Sequence, residues 1–389
     1  MRLIFAHLVL ACLLVVSASV LAATPPPQPK EGPGGSNYVA SAVTKRAVGR
    51  ASAATYVFHS EGAASEPRPV VVFLHAWGSV NPQVYGGWID HLARKGFLVL
   101  VPRFQEIGRT RPVDASGRAA TLVKEALEAL ASDPQARPDL DRVAFAGHLA
   151  GAPMAVNLAA LAKAEGLPVP KLVFALMPGG IAKDAKSRGI VLADLGQIDP
   201  ATLLITMTGD RDHLAADRAA KRLLKEAENI PSTRKMFMRA LSDDHGFPTL
   251  SATLFSPGSV KEGYDAALIK LPPDPPRDPK QKPEPRPKWS PDMVLSGEQS
   301  VLVAQLSSAA IDSLDYLAFW KTFDMAASAA FAGKDAGALR SDPRFTDMER
   351  WSDGWPVKRL VAEVPRADAP ATGRTPLAPS KATVTGRRR

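Results

Sequence analysis

The chain has 389 residues, 46% hydrophobic and 22% charged, enough apolar material for a large core and too little charge for general disorder. Its formal net charge of +9 would suit acidic partners, but the excess lies mainly in two proline-rich stretches. From Pro365 onward Arg366, Arg374, Lys381 and Arg387 to Arg389 face only Asp368, and between Leu271 and Lys288 five cations face three acids. The remaining body is close to neutral. No aromatic residues interleave the tail charges, so these segments read as solubilising, with no nucleic-acid partner expected.

Arg2 precedes an apolar run from Leu8 to Val16, and Ser17 to Ala22 ends in small residues. This pattern predicts a signal peptide over residues 1–22, cleaved after Ala22 or Ala23, and a periplasmic or secreted product. No later stretch supplies about 18 consecutive apolar residues, so no transmembrane segment is expected. Cys12 is the only cysteine and lies within the signal. Val9 to Cys12 can also be read as a lipid-attachment box, and the mature chain has no internal disulfide on either reading.

Residues 23–50 begin with Ala-Thr-Pro-Pro-Pro-Gln-Pro and show no apolar periodicity at first, so they are expected to form a flexible leader before a domain spanning residues 51–362. In that domain short apolar runs at 70–75, 97–102, 142–147, 171–177, 202–208 and 234–241 predict strands. Helical periodicity fills the gaps at 84–95, 118–131, 150–165 and 214–228. Strand and helix in alternation imply an α/β fold with a mostly parallel sheet covered on both faces. Residues 271–291 hold nine prolines and predict an exposed, extended insertion. A final helix is expected at 313–331, packing on the core, and residues 363–389 are expected to be a disordered basic tail.

In parallel sheets ligands bind beyond the carboxyl ends of the strands, so the junction residues carry the functional information. Four junctions stand out: His75-Ala76-Trp77-Gly78, Gly147-His148-Leu149-Ala150-Gly151, Gly209-Asp210-Arg211-Asp212 and Asp244-His245-Gly246. In this order they resemble the oxyanion loop, nucleophile elbow, acid loop and histidine loop of the α/β-hydrolase superfamily, with most likeness to dienelactone-hydrolase and chlorophyllase-like esterases. The resemblance covers roughly residues 54–257. It implies that His245 is the base, that Asp212 or alternatively Asp210 orients it, and that the N–H groups of Trp77 and Ala150 form an oxyanion hole. Gly147 and Gly151 would keep the elbow turn permissive.

Leu149 occupies the position where the resemblance requires a nucleophile. An isobutyl group has neither a lone pair nor an ionisable proton, so covalent catalysis cannot begin there. Three explanations stand: a non-enzyme that retains a pocket for a small apolar or ester-like ligand or a protein partner; a carboxylic-ester hydrolase using another nucleophile; or a lost or artefactual serine. Asp212 and His245 could also persist simply as a hydrogen-bonded pair. Trp77, Tyr85 and Trp88 could line a cleft or merely pack a helix. The seven histidines form no spaced ligand cluster and no phosphate-binding glycine loop is present, so neither a metal nor another cofactor is expected.

Overall fold

The computed structural model describes residues 22–50, 53–62, 66–184, 187–211, 214–273, 288–295 and 299–363. Nine strands form one sheet: β1 (Val43–Arg50), β2 (Ala53–Ser60), β3 (Arg68–Leu74), β4 (Leu98–Pro102), β5 (Pro138–His148), β6 (Leu172–Leu176), β7 (Leu203–Gly209), β8 (Lys235–Ala240) and β9 (Val361–Glu363). Their spatial order is β1-β2-β4-β3-β5-β6-β7-β8-β9. From β4 to β8 every pairing is parallel, while β1, β2 and β9 add antiparallel edges.

The long helices are α1 (Gly86–Arg94), α2 (Pro112–Leu130), α3 (Gly151–Glu165), α4 (Leu214–Glu226) and α6 (Lys321–Phe331). Two shorter helices are α5 (Gln299–Leu306) and α7 (Ala336–Ser341). Strand alternation sends Val71 and Phe73 to one face of the sheet, where α1, residues 314–320 and α6 cover them through Trp88, Leu92, Phe319 and Phe323. Val70, Val72 and Leu74 turn to the opposite face beneath α2, α3 and α4. Both sides of a central strand are therefore dry, and this is why β3 reads as an unbroken apolar run. The predicted 313–331 helix is a seven-residue π-helix, Leu314–Trp320, running directly into α6.

The expected flexible leader is a correction. Residues 22–37 are packed against the body, and β1 already begins at Val43, inside the range assigned to the leader. The Ala23 carbonyl accepts from the Phe247 N–H at 2.8 Å, and the Thr24 carbonyl from the Ser352 N–H at 3.0 Å. The Pro26 carbonyl accepts from both the Ser313 and Tyr316 hydroxyls at 2.7 Å, and the Gly34 N–H donates to Asp324 at 2.8 Å. A proline-rich segment without apolar periodicity can still be ordered when its carbonyls, which need no periodicity, find donors on the body.

Residues 1–21 of the expected signal, 274–287 of the expected insertion and 364–389 of the expected tail lie outside the described residues. No helix among the described residues is long and apolar enough to cross a membrane.

Candidate functional site

The junction between β5 and α3 is a tight strand-to-helix turn. Leu149 sits at its apex with φ +51°, one of three non-glycine residues with positive φ among those described. Its backbone is tied on both sides, since its N–H donates to the Leu176 carbonyl at 3.0 Å and its carbonyl accepts from the Gly179 N–H at 3.2 Å. A Cβ on Gly147 would lie 2.0 Å from the Gly151 carbonyl oxygen, and one on Gly151 would lie 1.9 Å from the Leu74 carbonyl oxygen. No side chain fits at either position, so both glycines are required for α3 to start directly above the strand ends. This is the kind of turn that the resemblance leads one to expect at a nucleophile elbow, here with an isobutyl group at its tip.

Leu149 faces a cavity of about 130 Å³ lined by Ala76, Trp77, Ala150, Gly179, Gly180 and the side chains of Leu295, Leu302 and Leu306. A space of that size is of the order of one that holds a benzene-sized apolar group. Trp77 and Ala150 contribute the backbone N–H groups expected to form an oxyanion hole, and neither N–H has an acceptor among the described residues. Apart from Trp77, the side chains lining the cavity are aliphatic. A larger surface groove of about 690 Å³, bordered by Lys124, Pro138, Leu140 and Leu167, lies where β5 begins. In a parallel sheet that is the wrong end for ligand chemistry, so the smaller cavity is the better candidate.

The histidine loop departs from expectation. His245 directs Nε2 to the Asp353 carboxylate at 2.7 Å. Its ring is stacked on Trp355, with 5.4 Å between centroids and 12° between planes, and is tilted against Trp351. In a serine hydrolase Nε2 takes the nucleophile's proton while Nδ1–H is held by the acid. Here the nitrogen that would serve the elbow is bound to a carboxylate, and His245 does not line the cavity at Leu149.

Asp210, the alternative acid, instead accepts from the Ser242 N–H and hydroxyl at 2.9 and 2.6 Å and braces the loop after β8. Asp212 lies outside the described residues. Asp353 is the partner the sequence did not reveal: it lies 108 residues from His245, in a turn whose only local signal is an aspartate accepting from the Trp355 N–H two residues on.

Tyr85 and Trp88 are core residues, both fully buried. Trp77 does border the cavity. Two histidines flank the site and are neutral near pH 7: burial pushes His75 and His148 down to about 4. His75 is stacked on Phe104 at 4.1 Å and donates from Nδ1 to the Ala76 carbonyl at 2.8 Å. No group of three or more His, Cys, Asp or Glu among the described residues is placed to hold a metal.

Residues 49–193 match the Chlorophyllase family model, a span that takes in the oxyanion loop and the elbow but neither Asp210 nor His245. No curated protein matches the chain in sequence. Among solved structures it is similar to carboxyl esterase 2 from the mycorrhizal fungus Tuber melanosporum, with 16% identity and a TM-score of 0.40, covering 59% of this chain and 85% of that one. Two structures of an esterase from Pyrobaculum calidifontis also align at TM-scores of 0.40. They show 15% and 16% identity and cover 53% of this chain and 77% and 75% of theirs.

Proposed function

From a chain that carries the α/β-hydrolase fold, we propose a non-catalytic binding protein whose esterase-type cavity accepts a small, apolar, carbonyl-bearing ligand. The observation that carries this reading is the combination at one turn: a strained elbow backbone, two unpaired N–H donors and an aliphatic cavity, all arranged around a side chain that cannot react. Losing the nucleophile of such a site costs on the order of a millionfold in turnover, while the donors and the binding surface keep their affinity for a carbonyl oxygen. The ligand's oxygen would take the Trp77 and Ala150 N–H groups, and its short chain would lie against Leu149, Leu295, Leu302 and Leu306. Export from the cytoplasm, motivated by the first 22 residues, belongs to the same proposal.

The test uses butyramide as an unreactive probe and p-nitrophenyl butyrate as a substrate. Butyramide should bind saturably and Leu302→Trp, which narrows the cavity, should weaken that binding at least tenfold. Wild-type protein should neither hydrolyse the ester measurably nor label with a fluorophosphonate. Brisk hydrolysis by the wild type would establish the competing reading, an ester hydrolase with another nucleophile.

A further inference from the structure

Between the two N–H donors runs a buried hydrogen-bond chain that the acyl-transfer resemblance does not require. The Ala76 N–H donates to the Tyr85 hydroxyl at 3.1 Å, the Tyr85 hydroxyl lies 2.9 Å from His148 Nδ1, and His148 Nε2 lies 2.8 Å from the Leu254 carbonyl. The direction of every bond follows from the last one. A carbonyl only accepts, so Nε2 carries the proton. Neutral His148 then presents a lone pair at Nδ1, and the Tyr85 O–H must donate to it. The hydroxyl oxygen is left to accept from Ala76. Burial holds the imidazole neutral down to about pH 4, so the order of donors is fixed above that pH.

The placement of this chain is specific. Ala76 immediately precedes Trp77, which supplies one donor, and His148 stands two residues before Ala150, which supplies the other. The strands that carry them are sheet neighbours, with Leu74 opposite Gly147. Tyr85 fills the gap above them at the start of α1, its ring 4.9 Å from Phe73 and edge-on to His148 at 5.7 Å. The chain's other end is pinned by Leu254, from the segment after β8.

We propose that Tyr85 and His148 are positioning residues that lock the oxyanion loop to the elbow and so set the separation of the Trp77 and Ala150 donors. This rests on the reading of the cavity as a carbonyl site. A chain that merely satisfied buried polar groups would influence stability alone. A positioning chain also controls the donors in protein that remains folded, where a displacement of about 1 Å can cost a hundredfold.

Tyr85→Phe retains the ring and removes only the hydroxyl, leaving the Ala76 N–H and His148 Nδ1 without partners. His148→Gln keeps the direction of the chain, because its amide oxygen can accept from Tyr85 and its NH2 can donate to Leu254. His148→Leu breaks it. Two readouts are needed: hydrogen exchange at the Trp77 and Ala150 amides in free, folded protein, and butyramide affinity. Tyr85→Phe and His148→Leu should speed exchange at both amides at least tenfold and weaken butyramide at least tenfold, while His148→Gln stays within about threefold of wild type on both. A Tyr85→Phe variant that is less stable but unchanged at both amides overturns the positioning role. Failure of the wild type to bind butyramide would overturn the ligand reading while the amide measurement still decided the positioning role.

Discussion

At the scale of single residues, Leu149 separates what a backbone requires from what a side chain does. A residue with a Cβ in the left-handed region costs roughly 1–2 kcal/mol, and at position 149 that strain is held by the bonds to Leu176 and Gly179. The turn thus survives independently of the side chain at its apex. Leu149→Ser should fold normally, yet turnover of p-nitrophenyl butyrate should stay within about tenfold of wild type and fluorophosphonate labelling should remain absent, because His245 Nε2 is engaged by Asp353. Labelling of the Leu149→Ser protein that disappears with His245→Ala would show that His245 reaches the elbow after all. The flanking glycines make a sharper test of packing. Gly151→Ala places a carbon 1.9 Å from a backbone oxygen and should destabilise by about 3 kcal/mol or more, by analogy with other overpacked sites. Gly333→Ala, at a position of positive φ but in open space, should cost only about 1 kcal/mol. Urea denaturation of the two variants compares them directly.

At the scale of elements, residues 22–37 act as a strap. They join the Phe247 loop, the Ser352 turn, the π-helix and α6 through carbonyl and amide bonds worth about 1 kcal/mol each. Removing residues 23–37 should therefore lower Tm by several degrees, measurable by calorimetry, whereas a truly loose leader could be deleted without effect. The strap also bears on processing. The Ala23 carbonyl is docked on Phe247, and a Cβ on Gly246 would lie 2.0 Å from it. Cleavage after Ala22 preserves this contact and cleavage after Ala23 removes it, so mass spectrometry of exported protein should find Ala23 at the amino terminus. An intact amino terminus would remove the basis for export.

At the scale of the whole molecule, the two apolar layers enclose histidines that cannot charge without disturbing the core. Burial lowers His59 and brings His75 and His148 down to about 4, while in an unfolded chain imidazole titrates near 6.5. Between those values the unfolded chain binds more protons than the folded one, so stability rises with pH through the window. The stabilisation is fully present above about pH 6.5 and is lost progressively as pH falls toward 4, with a total on the order of a few kcal/mol. Burial raises Asp312 and Asp315, which oppose this trend, so the histidine contribution is read as the difference between wild type and His148→Gln in urea denaturation from pH 4 to 8. His148→Gln, which has no titrating ring, should flatten part of the slope; an unchanged slope would mean that His148 is accessible to protons in the folded state.

The sequence by itself determined the sheet from β3 to β8 and the helices between them, because strands buried on both faces must be continuously apolar and covering helices must carry a periodic apolar stripe. Gly147 and Gly151, four residues apart, also marked in the sequence a tight strand-to-helix turn that neither could make with a side chain. Three features were decided only in the folded chain. The strap owes its order to hydrogen bonds from its backbone groups to distant partners, and such bonds leave no mark on residue type. Asp353 became the partner of His245 because the segment after α7 returns to the sheet edge, a route set by packing of Phe345, Trp351 and Leu360 into the core. The chain from Ala76 through Tyr85 and His148 to Leu254 exists only where four separate segments meet, and at that meeting the physics is proximity and burial, neither of which is written in local sequence.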